Sequence, residues 1–286
     1  MFKKVGTHTL RIVRCTFFYF NIFFLSHCSG GEKLGEAIIL TPRSELNYPI
    51  ENIEFRQSVS GTETPALHII AGGDVMLGHW TKSYIEKYGS DYPFRGISTA
   101  LQNHDVVIAN LEAPFADYGE NRVEKQYTFK VPTDYAWGLK KAGFNVVSLA
   151  NNHILDFGFE ALQQTIQTLD KVQIFHAGAG MTMEDAWNPA FVQTKVGRVA
   201  FLAFSMTFPK EFWANDSVGG TAYPLENKLK NTLQCLKDEA DVVILSFHWG
   251  QEKSHEPKDY QRYYAHFAID HGADLIIGHH PHVLQG

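Results

Sequence analysis

Residues 146–172 read VVSLANNHILDFGFEALQQTIQTLDKV, and the spacing of the apolar side chains changes part-way along. The run 146–149 is short and apolar without alternation, as a strand buried on both faces requires. Ala150, Asn151, Asn152 and His153 come next. Beyond them Leu162, Ile166 and Leu169 recur at helical spacing on one face. Strand, polar turn and helix in that order predict a βα unit.

On either side of this unit, runs of the same kind recur at 67–71, 106–109, 199–204, 242–245 and 275–277. Leu225, Leu229, Leu233 and Leu236 share a second helical face. Another helix is expected over 258–271, with Gly272 where a C-cap belongs. Strands alternating with helices predict an α/β fold with a mainly parallel sheet. Residues 190–194 and 198–204, joined by Lys195-Val196-Gly197, predict an antiparallel hairpin, so the sheet is expected to be mixed.

The residues just beyond the strands carry the chemistry. The run 67–71 leads into Gly72-Gly73-Asp74, and 106–109 into Asn110-Leu111-Glu112. The run 146–149 leads to Asn152 and His153, 242–245 to Ser246-Phe247-His248-Trp249-Gly250, and 275–277 to Gly278-His279-His280-Pro281-His282. Ligands bind outside the carboxyl ends of strands in open α/β sheets. Singly, each residue has a plainer reading: Asp74 as a turn cap, Asn152 as a loop brace, His248 as a hydrogen-bonded core histidine. Together they are the oxygen and nitrogen donors of a site for one or two divalent ions, Zn, Mn or Fe. In an extended segment alternate residues face the same way, so His280 and His282 reach one cluster while Pro281 stiffens the chain between them. His68, His104, His266 and His271 read as surface or capping residues. Trp137, Trp187, Trp213 and Trp249 read as packing, with Trp249 nearest the proposed site.

With 286 residues the chain can bury one large core, and its net charge of −6 with no Lys/Arg-rich run excludes a nucleic-acid partner. At the N-terminus Lys3, Lys4, Arg11 and Arg14 precede an apolar stretch over 15–25, the order of an export signal and too short for a comfortable transmembrane helix. Leu25-Ser26-His27-Cys28 resembles a bacterial lipobox, with Cys28 the lipidated residue. His27 stands where a small residue is usual, so lipidation and ordinary cleavage nearby both remain open. A lipidated Cys28 would leave Cys235 alone in the mature chain, without an intramolecular disulfide. Residues 1–28 are therefore expected to be a signal, 29–65 a linker with a short strand at 37–40, and 66–286 the folded domain. The product would be exported and held at the membrane.

The segments GGDVMLG (72–78), ANLEAPF (109–115), FKVPTDYAWGLKKAGFNVVSLANNHILDFGFEAL (129–162), SFHWGQE (246–252) and GADLIIGHHPHVLQG (272–286) resemble the successive motifs of the CapA family. That resemblance implies capsule or poly-γ-glutamate biosynthesis at the cell surface, with the synthesis machinery and the polymer as partners. It also implies a sheet sandwich flanked by helices, four layers in all, like the calcineurin-type metallophosphoesterases. Carried over by position, Asp74, Glu112, Asn152, His248, His280 and His282 become metal ligands, with Glu112 bridging. His153 becomes the residue that meets the reacting group. Asn110 and Glu252 take supporting or substrate-binding places. The phosphoesterase pattern has a histidine where this chain has Met76, with His79 a nearby substitute, and the family pattern runs on past Gly286, so a domain lacking its C-terminal edge is expected. Three roles are compatible with this: a metal-dependent hydrolase or handler of the polymer, a phosphoesterase, and a non-catalytic scaffold, which Met76 makes credible.

Overall fold

The apolar runs at 67–71, 106–109, 146–149, 199–204, 242–245 and 275–277 each form a strand, and all but 146–149 continue further than the run itself. A computed structural model describes residues 13–17, 66–121 and 124–286, all within one compact unit. Strand β1 is Val13–Phe17 and β2 is Leu67–Val75, followed by helices α1 (Thr81–Tyr88) and α2 (Ser98–Leu101). Then come β3 (Val106–Leu111), α3 (Ala136–Ala142), β4 (Val146–Ser148), α4 (Gly158–Val172), β5 (Phe175–Ala177), β6 (Ala179–Gly180) and α5 (Met183–Trp187). The hairpin β7 (Ala190–Gln193) and β8 (Arg198–Ser205) leads to β9 (Gly220–Thr221), α6 (Glu226–Glu239), β10 (Val242–His248), α7 (Asp259–His271) and β11 (Leu275–His279).

Strands β1 to β5 form one sheet in chain order, with every neighbouring pair parallel. The second sheet has the order β11-β10-β8-β7, where β10 is parallel to both neighbours and β7 is antiparallel to β8. The mixing expected from the 190–204 hairpin is thus confined to the second sheet. Strands β6 and β9 make a separate antiparallel pair.

Alternation along each strand builds the layers, because successive side chains point to opposite faces. Ile69, Ala71, Val106, Ile108 and Val146 of the first sheet share a core with Val199, Phe201, Ala203, Val242 and Ile244 of the second. Residues of the other parity, Ile70, Val107 and Val147, pack with Leu139 of α3 and Leu162 and Leu169 of α4. On the far face of the second sheet Leu202, Phe204, Val243 and Leu245 meet Leu229, Leu233 and Leu236 of α6 and Ala268 of α7. Two sheets therefore share one core, and each carries helices on its other face.

Several local expectations need correction. Gly72, Gly73 and Asp74 lie within β2, and a register shift between Ala71 and Asp74 absorbs the glycines as a bulge. His68 is inside β2, and His104 lies beyond the end of α2. Leu225 precedes α6 and is exposed, because its extended backbone turns it off the face that Leu229 begins. The helix expected over 258–271 is α7, closed by Gly272 at φ 124°. Cys15, Thr16 and Phe17, at the start of the expected export segment, fall in β1. The rest of that segment, Cys28 and the strand expected at 37–40 lie outside the described residues.

One glycine limits how the sheets approach each other. Gly178 follows β5 with φ +98°, and a Cβ there would stand 2.6 Å from Ala150 Cβ and 2.7 Å from Ala203 Cβ of β8. Gly178→Ala is expected to lower stability by about 3 kcal/mol, combining overpacking with a left-handed backbone. The urea midpoint checks this, and a change under about 0.5 kcal/mol would mean that the sheets part easily here.

Candidate metal centre

Five strands of the two sheets deliver polar side chains to one edge. Asp74 comes from the bulged end of β2, and Asn110 from β3 with Glu112 just after it. Asn151, Asn152 and His153 follow β4, His248 ends β10, and His279 ends β11 ahead of His280 and His282. The inter-sheet bonds gather on Asp74. Its Oδ1 accepts from Asn110 Nδ2 (2.8 Å), and its Oδ2 accepts from the His280 backbone amide (3.2 Å) and lies 3.0 Å from His282 Nδ1. His248 Nε2 lies 2.9 Å from Asn152 Oδ1 and 3.6 Å from Glu112 Oε1.

Donor atoms fall within 4.8 Å of one another in three overlapping sets: Glu112, His248 and His280; Asp74, Glu112 and His282; and Glu252, His280 and His282. Glu112 belongs to the first two, the place a bridging carboxylate needs. Glu252, expected in a supporting or substrate-binding place, offers a carboxylate oxygen to the third set from an exposed position. Asn152 reaches the cluster through His248. Met76 packs against the core beneath, while His79 is exposed beside Tyr127 and Phe129 and belongs to none of these sets. His280 (φ 90°) and His282 (φ 55°) occupy the left-handed region, where non-glycine residues cost on the order of 1–3 kcal/mol each. Such outliers persist where the surroundings impose them, as at a ligand clamp.

His153 stands beside the cluster, and its Nδ1 lies 2.7 Å from Oδ2 of the wholly buried Asp156. The Lys125 ammonium donates to Asp156 Oδ1 (2.6 Å), and the Phe129 amide donates to Asp156 Oδ2 (3.0 Å). Asn151 is also buried, donating to Asn110 Oδ1 (3.0 Å) and accepting from the His153 amide (3.0 Å). Sequence reasoning missed the roles of Asp156, Asn151 and His279. Strand alternation counted on from the inward Ile277 would have placed His279 inward. Trp249 is buried flat against Phe247, with ring centroids 4.4 Å apart, so it is packing.

The bacterial capsule synthesis protein model PGA_cap matches residues 68–286, which hold this whole constellation. The chain belongs to the PGA_cap family. The capsule biosynthesis protein CapA of Bacillus anthracis is 32% identical over 82% of this chain and 59% of its own length. The PGA biosynthesis protein CapA of Bacillus subtilis (strain 168) is 32% identical over 74% of this chain and 57% of its own. The match therefore spans less than two thirds of these relatives. Among solved structures, a hypothetical protein from Thermus thermophilus is 17% identical over 68% of this chain and 64% of its own, with a TM-score of 0.39.

The donor set of this PGA_cap chain suits a divalent cation. Both ring nitrogens of His279 and Nδ1 of His280 are buried without a hydrogen-bond partner among the described residues. Burial, with neighbouring imidazoles, holds His248 well below the usual imidazole range, and it lowers His279 and His280 too. They stand neutral, as ligands must. Burial opposes ionisation of Asp74, but the His282 hydrogen bond and the surrounding histidines outweigh it and hold the carboxyl far below its usual range. Burial also raises Glu112 well above the carboxylate range, and the charges of Asp74 and Glu252 add to it. A folded value above the unfolded one stabilises the native state at low pH and loses that contribution as pH rises through the folded value. Glu112→Gln removes this titration. The metal-free variant is expected to be more stable than the metal-free parent at pH 8, with the gap shrinking toward pH 5 by up to about 1.4 kcal/mol per unit. Thermal melts in chelator at several pH values check this, and added divalent ion should stabilise the parent far more than the variant.

Proposed function

We propose that this chain is an envelope-tethered hydrolase of capsule biosynthesis that cuts or trims a poly-γ-glutamate polymer with the help of divalent metal. The convergence of Asp74, Glu112, His248, His280 and His282 beside an aspartate-held His153 carries this reading. Its relatives are named for capsule and PGA biosynthesis. Metal-dependent phosphoesterases and a metallophosphoesterase-like architecture fit the same donors, and the four layers and the shared Glu112 favour that comparison. Export is supported by the order of basic residues, apolar stretch and Cys28, and processing at Cys28 would remove β1 from the edge of the first sheet. Among the described residues no helix is long and apolar enough to cross a membrane. Tethering accordingly rests on the N-terminal signal and a lipidated Cys28. At the envelope the chain would work alongside the polymer synthesis machinery.

In this mechanism Asp74, Glu112, Glu252, His248, His280 and His282 hold the metal, and Asn152 and Asn110 orient His248 and Asp74. A bound divalent ion supplies a Lewis acid that polarises the scissile amide carbonyl and activates water. Asp156 fixes the His153 ring through Nδ1, which leaves Nε2 to take the proton of the attacking water and pass it to the departing amine. Lys125, bonded to Asp156 on its other oxygen, keeps that carboxylate in place.

Metal analysis of the protein purified without chelator tests the centre. Near-stoichiometric Zn, Mn or Fe is expected, and it should vanish in the His280→Ala/His282→Ala variant. No metal in well-folded protein would leave the non-catalytic scaffold as the surviving reading. His153→Gln should retain metal and stability but cut polymer cleavage by roughly 10²–10⁴-fold. Turnover of a chromogenic phosphodiester, with none of poly-γ-glutamate, would transfer the chemistry to phosphorus.

A further inference from the structure

The loop that carries Glu252 has no core residue of its own. Residues 250–258 join β10 to α7, and every one of them is exposed or half-buried. Gly250 (φ 92°) and Lys253 (φ 60°) hold positive-φ backbones on either side of Glu252. Hydrogen bonds therefore set the course of this loop where packing cannot. The Gly250 amide donates to the Tyr260 hydroxyl of α7 (2.7 Å), and the Lys253 amide donates to Pro281 O (2.8 Å), between His280 and His282. Two carboxamides complete the attachment. Gln261 of α7 is 2% exposed; its Oε1 accepts from the Lys258 amide (2.8 Å), and its Nε2 donates to Gln285 Oε1 (2.7 Å). Gln285 Nε2 in turn donates to Ser254 O (2.9 Å) and Glu256 O (3.3 Å). A primary amide has two N–H donors, and Gln285 directs both at this loop.

We infer that Gln285, seated on the buried Gln261, is a positioning residue that holds the 250–258 loop where the Glu252 carboxylate meets His280 and His282. This rests on the metal-dependent reading above and deepens it. Glu252 is the exposed member of its set, and its donor atom lies within 4.8 Å of those of both histidines. An exposed carboxylate on a loop without a packed anchor keeps one place only if its backbone is tied on both sides. The Lys253–Pro281 bond ties it to the histidine segment, and the Gln285 bonds tie the next turn to the same segment. His255 adds a contact there, with Nδ1 2.9 Å from Leu284 O. The ion pair of Arg262 with Glu256, at 3.7 Å between exposed side chains, contributes little. Partners that orient a metal ligand from outside act on the affinity of the site without touching the ion.

The test is zinc titration of the full chain against a competing chelator, for the parent, Glu252→Ala, Gln285→Met and the double variant. Methionine keeps the length of glutamine without its hydrogen bonds. Gln285→Met is expected to weaken zinc binding roughly tenfold, and Glu252→Ala by at least as much. The double variant should bind no more weakly than Glu252→Ala alone, because Gln285 acts through Glu252. In metal-free protein the Lys253 amide should exchange faster in Gln285→Met, while amides of β10 and β11 keep the protection of the parent. A further loss on adding Gln285→Met to Glu252→Ala would make Gln285 a general support of the fold and overturn the inference. Unchanged affinity in either single variant, or unchanged Lys253 exchange in Gln285→Met, would overturn it too. A parent that binds no zinc, manganese or iron would remove the metal reading itself and this inference with it.

Discussion

A single buried carboxylate ties the carboxyl edges of the two sheets together. Asp74 takes one hydrogen bond from Asn110, its neighbour within the first sheet, and others from the segment after β11 in the second. Its position depends on the bulge that the paired glycines allow in β2. Without the Asp74 carboxylate the His280 amide, the Asn110 carboxamide and the His282 ring would lose a buried acceptor together, each at the cost of an unsatisfied polar group. His248 adds a second tie across the sheets, 2.9 Å from Asn152 Oδ1 and 3.3 Å from Asn110 Nδ2. Strands that end at the same edge bring their last residues within reach only if the two sheets are locked there.

The locked edge conflicts locally with what makes a stable core. The neutral imidazoles of His279 and His280 bury ring nitrogens without a hydrogen-bond partner among the described residues. Glu112 is pressed by two nearby carboxylates, and His280 and His282 hold left-handed backbones. Among the described residues, three of the five unpartnered buried side-chain polar atoms and two of the six left-handed non-glycine residues lie here, where folds accept strain for function. A cation among these donors relieves several conflicts together. It would take the orphaned lone pair of His280 and favour ionised Glu112.

Much of this was legible in the sequence because the strands are buried on both faces and their ends are polar. Val146 to Ser148 could be placed from an apolar run, and Asp74, Glu112, His248, His280 and His282 from their places just beyond such runs, while their parts as ligands came from the family resemblance. Leu225 misled because a leucine in helical register says nothing about where the helix begins. Asp156 and Lys125 were hidden for another reason. They meet through a loop that has no period, over a sequence separation of 31 residues.

Phe129 joins the chemistry to the surface. Its backbone amide holds Asp156 while its ring lies against His153 on one side and His79 on the other. The Lys125 ammonium and the Phe129 amide bond to the two oxygens of Asp156, so one buried carboxylate holds this loop and the His153 ring together.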